Sequence, residues 1–69
     1  MDKLDQIFGV LRDRKWHSVN EIAQATNVGY EKLLELIRLF AKVNIIQFDE
    51  ERNRLKIDEE WSFLIDEGS

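Results

Sequence analysis

The chain has 69 residues, 43% hydrophobic and 35% charged, a balance that suits one compact folded domain and excludes a disordered tail. It contains no cysteine, which removes disulfides and zinc–thiolate sites, so a small core must suffice or be extended by a partner. No apolar run nears the roughly 18–20 residues that span a bilayer. The charged opening Met1-Asp2-Lys3 does not read as a signal peptide, so a cytoplasmic domain without membrane contact is expected. The net charge is −4, yet residues 1–57 come to +1 and residues 58–69 hold −5. That distribution leaves room for a locally basic face while denying the chain a strong electrostatic footprint for nucleic acid.

Leu4, Ile7, Phe8 and Leu11 recur at helical spacing and predict a first helix over 2–14, with Asp2 as its N-cap. Gly9 inside it reads as a tolerated glycine, and Arg12, Arg14 and Lys15 complement the negative end of the helix. Lys15-Trp16-His17 is a link with room for one short strand, and Trp16 is expected to lie as a lid on the core. His17 lacks partners at metal-ligand spacing and is assigned a surface or capping role.

Ser18-Val19-Asn20-Glu21 forms a capping box: the Ser18 hydroxyl accepts the Glu21 amide, and the Glu21 carboxylate reaches back to the Ser18 amide. The second helix, 18–26, buries Val19, Ile22 and Ala23. Asn27 follows at a left-handed end that Asn tolerates better than most residues, and Val28 plugs the core. A third helix, 30–43, turns Leu33, Ile37 and Phe40 inward with Leu36 and Val43 beside them. Asn44 suits a second left-handed helix end. Residues 45–57 read as a hairpin, Ile45-Ile46-Gln47-Phe48 against Leu55-Lys56-Ile57, whose polar connection places Asn53 in the turn. Asp58-Glu59-Glu60 opens a final helix, 59–66, with Trp61, Leu64 and Ile65 on its apolar stripe and Phe63 off it.

Residues 1–69 therefore make a single domain. The segment Ile22-Ala23-x-x-Thr26-Asn27-Val28-Gly29 resembles the Ile-Ala-x-x-Thr-Gly-Leu-Ser turn of the winged helix-turn-helix family. Leu33-x-x-x-Ile37-x-x-Phe40-x-x-x-Asn44-Ile45-Ile46 is similar to that family's Val-x-x-x-Leu-x-x-Leu-x-x-x-Gly-Leu-Ile helix end. The resemblance runs from Leu4 to Ile57. In size and in its Tyr30-Glu31-Lys32 helix start, the chain looks like the small stand-alone winged-helix proteins of archaea. It implies a mainly helical α+β fold: a three-helix core, a short strand, a β-hairpin wing and a short C-terminal helix.

The resemblance also implies binding to double-stranded DNA as a small transcriptional regulator, with the third helix in the major groove and the wing on phosphate. By position it assigns DNA contacts to Ser18, Asn20, Gly29, Tyr30, Lys32 and Arg38, and to Arg52, Asn53 and Arg54 of the wing. Against that role, Glu31 and Glu35 flank Leu34 on the presumed reading face, and carboxylates near a duplex repel phosphate. A plainer reading has Glu31, Glu35 and Arg38 bracing one another on a solvated face.

The competing function is a protein-interaction module. Leu34 and Leu39 fall outside the expected core stripe, and with Trp61, Phe63, Leu64 and Ile65 they are candidates for a dimer or partner interface. The DNA-binding form is expected to be a homodimer built on the first and last helices, which extends the small core and places two recognition helices for a palindromic site. An enzyme is not expected: the chain has no phosphate-binding glycine loop and no nucleophile–base pair, and no cofactor or metal is anticipated.

Overall fold

The computed structural model describes residues 2–64, with side chains through Trp61. The fold is mainly helical α+β: α1 (Lys3–Val10), a 3-10 turn (Leu11–Asp13), β1 (His17–Ser18), α2 (Val19–Thr26), α3 (Tyr30–Lys42), β2 (Ile46–Asp49), β3 (Arg54–Ile57) and a closing 3-10 segment (Glu59–Leu64). The three strands form one antiparallel sheet in the order β1-β3-β2, with His17 opposite Leu55, Ser18 opposite Arg54 and Phe48 opposite Leu55. The last of the three strands among the described residues is thus the central one.

Each helix starts and stops where its local chemistry dictates. Asp2 accepts the Leu4 amide at 3.1 Å as the α1 N-cap, and the Ser18 hydroxyl accepts the Glu21 amide at 3.0 Å at the start of α2. Asn27 and Asn44 take left-handed conformations with φ of 57° and 64° and turn the chain at the ends of α2 and α3. Lys3 Nζ donates to the Thr26 carbonyl at 2.8 Å, placing a cation at the negative end of α2. Arg14, with φ 63°, ends the turn after α1 in the same left-handed region, which the sequence did not suggest.

The core draws on every layer: Ile7 and Leu11 from α1 and its turn, Val19 and Ile22 from α2, Leu33 and Ile37 from α3, and Ile46, Leu55 and Ile57 from the sheet. Phe8 and Phe40 pack at its edge with ring centroids 5.6 Å apart. Thr26 is buried among these groups and satisfies its hydroxyl on the Ile22 carbonyl at 2.7 Å.

Four expectations are corrected. Val43 is 53% exposed rather than inward-facing, because α3 ends at Lys42 and Val43 already leaves the helical register with φ −99°. Trp16 is 36% exposed rather than a core lid. Leu4 is exposed, so the buried side of α1 and its turn narrows to Ile7 and Leu11. The final helix is a 3-10 segment whose first turn is held by Asp58, which accepts the Glu60 amide at 2.9 Å.

The left-handed turn at Asn27 yields a stability test. Asn27→Ala should lower unfolding free energy by about 1 kcal/mol, since a β-carbon without a local hydrogen-bonding group disfavours that conformation. Asn27→Gly should stay within a few tenths of wild type in the same chemical denaturation series.

Candidate nucleic-acid interface

The turn between β2 and β3 organises the surface that the sequence assigns to DNA. Asp49 Oδ1 accepts the Arg52 amide at 3.3 Å, and Asn53 closes the turn with φ 54°. From there Asn53 reaches two other elements. Its carbonyl accepts the Val19 amide of α2 at 3.0 Å, and its side-chain amide donates to the Tyr30 hydroxyl of α3 at 2.6 Å. The start of α2, the start of α3 and the hairpin turn therefore meet along one edge. Ser18, Asn20, Gly29, Tyr30 and Arg52 of these segments are exposed, as is Lys32 in the first turn of α3.

Gly29 is the N-cap of α3 and gives it no side-chain bond, although a β-carbon there would meet nothing within 4 Å. Sterics do not demand a glycine; its effect is to leave the first amides of α3 open to solvent or to an acceptor.

Two of the expected arginines are engaged elsewhere. Arg38 lies 3.6 Å from Glu50 of the hairpin turn, so the expected bracing with Glu31 and Glu35 is replaced by a link between α3 and the turn. Both partners are largely exposed, and such a pair contributes about 0–1 kcal/mol. Arg54 is drawn along the outer face of the sheet. Its Nε donates to Asp49 at 3.2 Å and its guanidinium lies over the Trp16 ring, 4.5 Å from the centroid. Asp49 is correspondingly held below the usual carboxylate range: desolvation pushes it up, but the Arg52 amide and the Arg54 guanidinium outweigh that.

Along α3, Tyr30, Glu31, Leu34, Glu35 and Arg38 line a shallow groove of about 420 Å³. Leu34 is half-buried and packs against the core, so it is not the freely exposed group that the sequence suggested. Leu39 is exposed at 56%, and Val43 lies one turn further on. Of the other candidates for a partner interface, Trp61 is half-buried, the side chains of Phe63 and Leu64 fall outside the described residues, and so does Ile65.

The sequence reading missed the pairing of His17. Its Nδ1 lies 2.7 Å from Glu21 and its Nε2 lies 2.8 Å from Asp13, and the ring is only 12% exposed. Glu21 thus serves His17 instead of the Ser18 amide, completing half of the expected capping box. The signal was present in the i, i+4 spacing of Asp13, His17 and Glu21, although the three residues belong to three different elements. Because the carboxylates sit on opposite ring nitrogens, they do not converge on one point. Among the described residues no group of three or more His, Cys, Asp or Glu side chains is arranged to hold a metal ion.

Desolvation lowers the His17 pKa, but hydrogen bonds from both carboxylates outweigh it and the net shift is upward. Asp13 moves down, chiefly through its bond to His17 and then through the Lys15 amide. A raised imidazole stabilises the fold fully below its unfolded value of about 6.5, and this contribution fades as pH rises through the folded pKa. A depressed carboxylate contributes above about pH 4 and loses its effect as pH falls through its lowered value. Thermal unfolding should therefore show the triad's contribution between about pH 4 and 6.5, declining above that window. His17→Gln should flatten the decline, and an unchanged pH profile in that variant would count against the clamp.

Comparison with models of protein families, with curated proteins and with solved structures found no match to this chain, so the function of this edge is argued from its own residues.

Proposed function

We propose that the chain is a winged helix-turn-helix domain that binds double-stranded DNA as a small transcriptional regulator, with α3 as the reading helix and the β2–β3 hairpin as the wing. The observation that carries this reading is the junction at Asn53, which joins the starts of α2 and α3 to the hairpin turn through bonds of 3.0 and 2.6 Å. A duplex laid along that edge meets two helix N-termini, where backbone amides favour phosphate, together with the cations Lys32 and Arg52 and the hydroxyls of Ser18 and Tyr30. Arg38 and Arg54 enter this reading in a lesser role, since each already faces a carboxylate.

Binding of this kind rests on the phosphate backbone and is weakly selective. Glu31 and Glu35 repel phosphate on either side of the groove, and a carboxylate on a base edge is suited only to the cytosine amino group. The same groove supports a second reading. Tyr30 and Leu34 line it together with the carboxylates of Glu31 and Glu35, a mixture that suits a basic, amphipathic protein segment. Leu39 of α3 and Val43 just past its end are both exposed, which favours self-association through the far end of α3. A two-fold dimer would present two reading helices to a palindromic site.

Fluorescence anisotropy with mixed-sequence duplexes at low salt tests the main reading. Arg52→Gln and Lys32→Gln should each reduce affinity and make the slope of log K against log salt shallower by about one unit. Arg54→Gln should change duplex binding less than Arg52→Gln. No binding to any duplex at low salt would end the DNA reading. Protein association is then tested by sedimentation, with Leu39→Glu expected to shift any dimer toward monomer.

A further inference from the structure

The outer face of the sheet carries a second surface, which the reading above touches only through Arg54. Alternation along β3 buries Leu55 and Ile57 and sends Arg54 and Lys56 outward. Trp16, just before β1, lies against that outward row, with the Arg54 guanidinium 4.5 Å and the Lys56 ammonium 5.1 Å from its ring centroid. The indole is still 36% exposed. Beside it, Arg14, Lys56, Ile57 and Glu59 line a cavity of about 250 Å³. Asp49, bound to Arg54, Glu59, and Asp58, which accepts from Gln47 opposite Lys56, are carboxylates of this face, set against Arg14, Arg54 and Lys56.

An indole flanked by cations has one plain role, which is to satisfy itself within the fold. Two features point further. Trp16 is among the exposed large hydrophobic residues, and it sits on the outer sheet face with its cations beside it, where an extended polymer can track. Exposed aromatic rings beside a row of cations suit a strand whose bases stack while its phosphates find the cations. A duplex does not fit this chemistry, because its base faces are already stacked inside the helix. An acidic peptide would engage the cations and make no use of the ring.

We infer that the outer sheet face around Trp16, Arg54 and Lys56 binds single-stranded nucleic acid. A base extends the stack formed by Trp16 and Arg54, since guanidinium planes and aromatic rings both accept a nucleobase. Lys56 takes a flanking phosphate. This surface is separate from the edge proposed for duplex DNA, whose cations are Lys32 and Arg52.

The test uses the whole chain and a short, labelled oligo(dT). Anisotropy should show binding that weakens by about five-fold or more in Trp16→Ala and is largely retained in Trp16→Phe. Lys56→Gln should weaken it and lower its salt sensitivity. In a Trp61→Phe background, oligo(dT) should quench Trp16 emission saturably, while polyglutamate of similar length should not. Arg52→Gln, which weakens duplex binding, should leave the single-strand titration unchanged. The inference is overturned if Trp16→Ala binds oligo(dT) as tightly as wild type, or if Trp16 emission does not respond. Equal quenching by polyglutamate would likewise overturn it in favour of an acidic peptide.

Discussion

Asn53 ties the hairpin turn to the starts of both α2 and α3. Its left-handed backbone lets one residue present a carbonyl to α2 and an amide side chain to α3 while closing the hairpin turn. A residue with a longer or branched side chain would disfavour that φ, and Gly would keep the φ but lose the bond to Tyr30. The helices and the sheet share an aliphatic core, but that core alone does not dictate how the hairpin is angled against the helix starts. The two bonds at Asn53 supply that restraint. The candidate interface is a consequence of it, since none of its residues is contiguous with the others except within each element.

Cations on this small domain are largely assigned to particular neighbours. Lys3 closes the end of α2, Arg38 meets Glu50, and Arg54 is shared between Asp49 and Trp16. Two surfaces result with different characters. The helix-start edge is polar and balanced in charge, with carboxylates set along α3. The sheet face carries an exposed indole with two cations against it and carboxylates nearby. A chain with net charge −4 can therefore still offer nucleic acid a favourable approach, provided the approach is local.

Much of the fold was legible in the sequence because it is specified by short-range chemistry. The Ser18 cap, the asparagine turns at 27, 44 and 53, and the inward positions Ile22, Leu33 and Ile37 depend on neighbours within one or two turns. What escaped depends on long-range pairing. The place of Trp16 is decided by which outward residues of β3 come alongside β1, and no local pattern contains that information. Glu21 had two acceptable partners, and the choice of His17 over the Ser18 amide follows from the position that β1 gives the imidazole. Val43 was misplaced by the ordinary uncertainty of helix ends. For the candidate site, chain position located Tyr30, Lys32, Arg52 and Asn53 on one edge. It did not show that Arg54, adjacent in sequence, would be turned onto another face by strand alternation.

The order β1-β3-β2 also bears on how the chain comes to be folded. β1 is two residues long and pairs only with β3, which is made almost forty positions later. A nascent chain that has exposed α1, α2 and α3 still lacks the strand that contributes Leu55 and Ile57 to the core and the turn that accepts the Val19 amide. The helical portion is then a set of amphipathic segments with one side open. β3 and the turn before it supply the central strand of the sheet, two core residues and the Asn53 junction together. Truncation within the hairpin removes the central strand of the sheet, not merely an ornament at its edge.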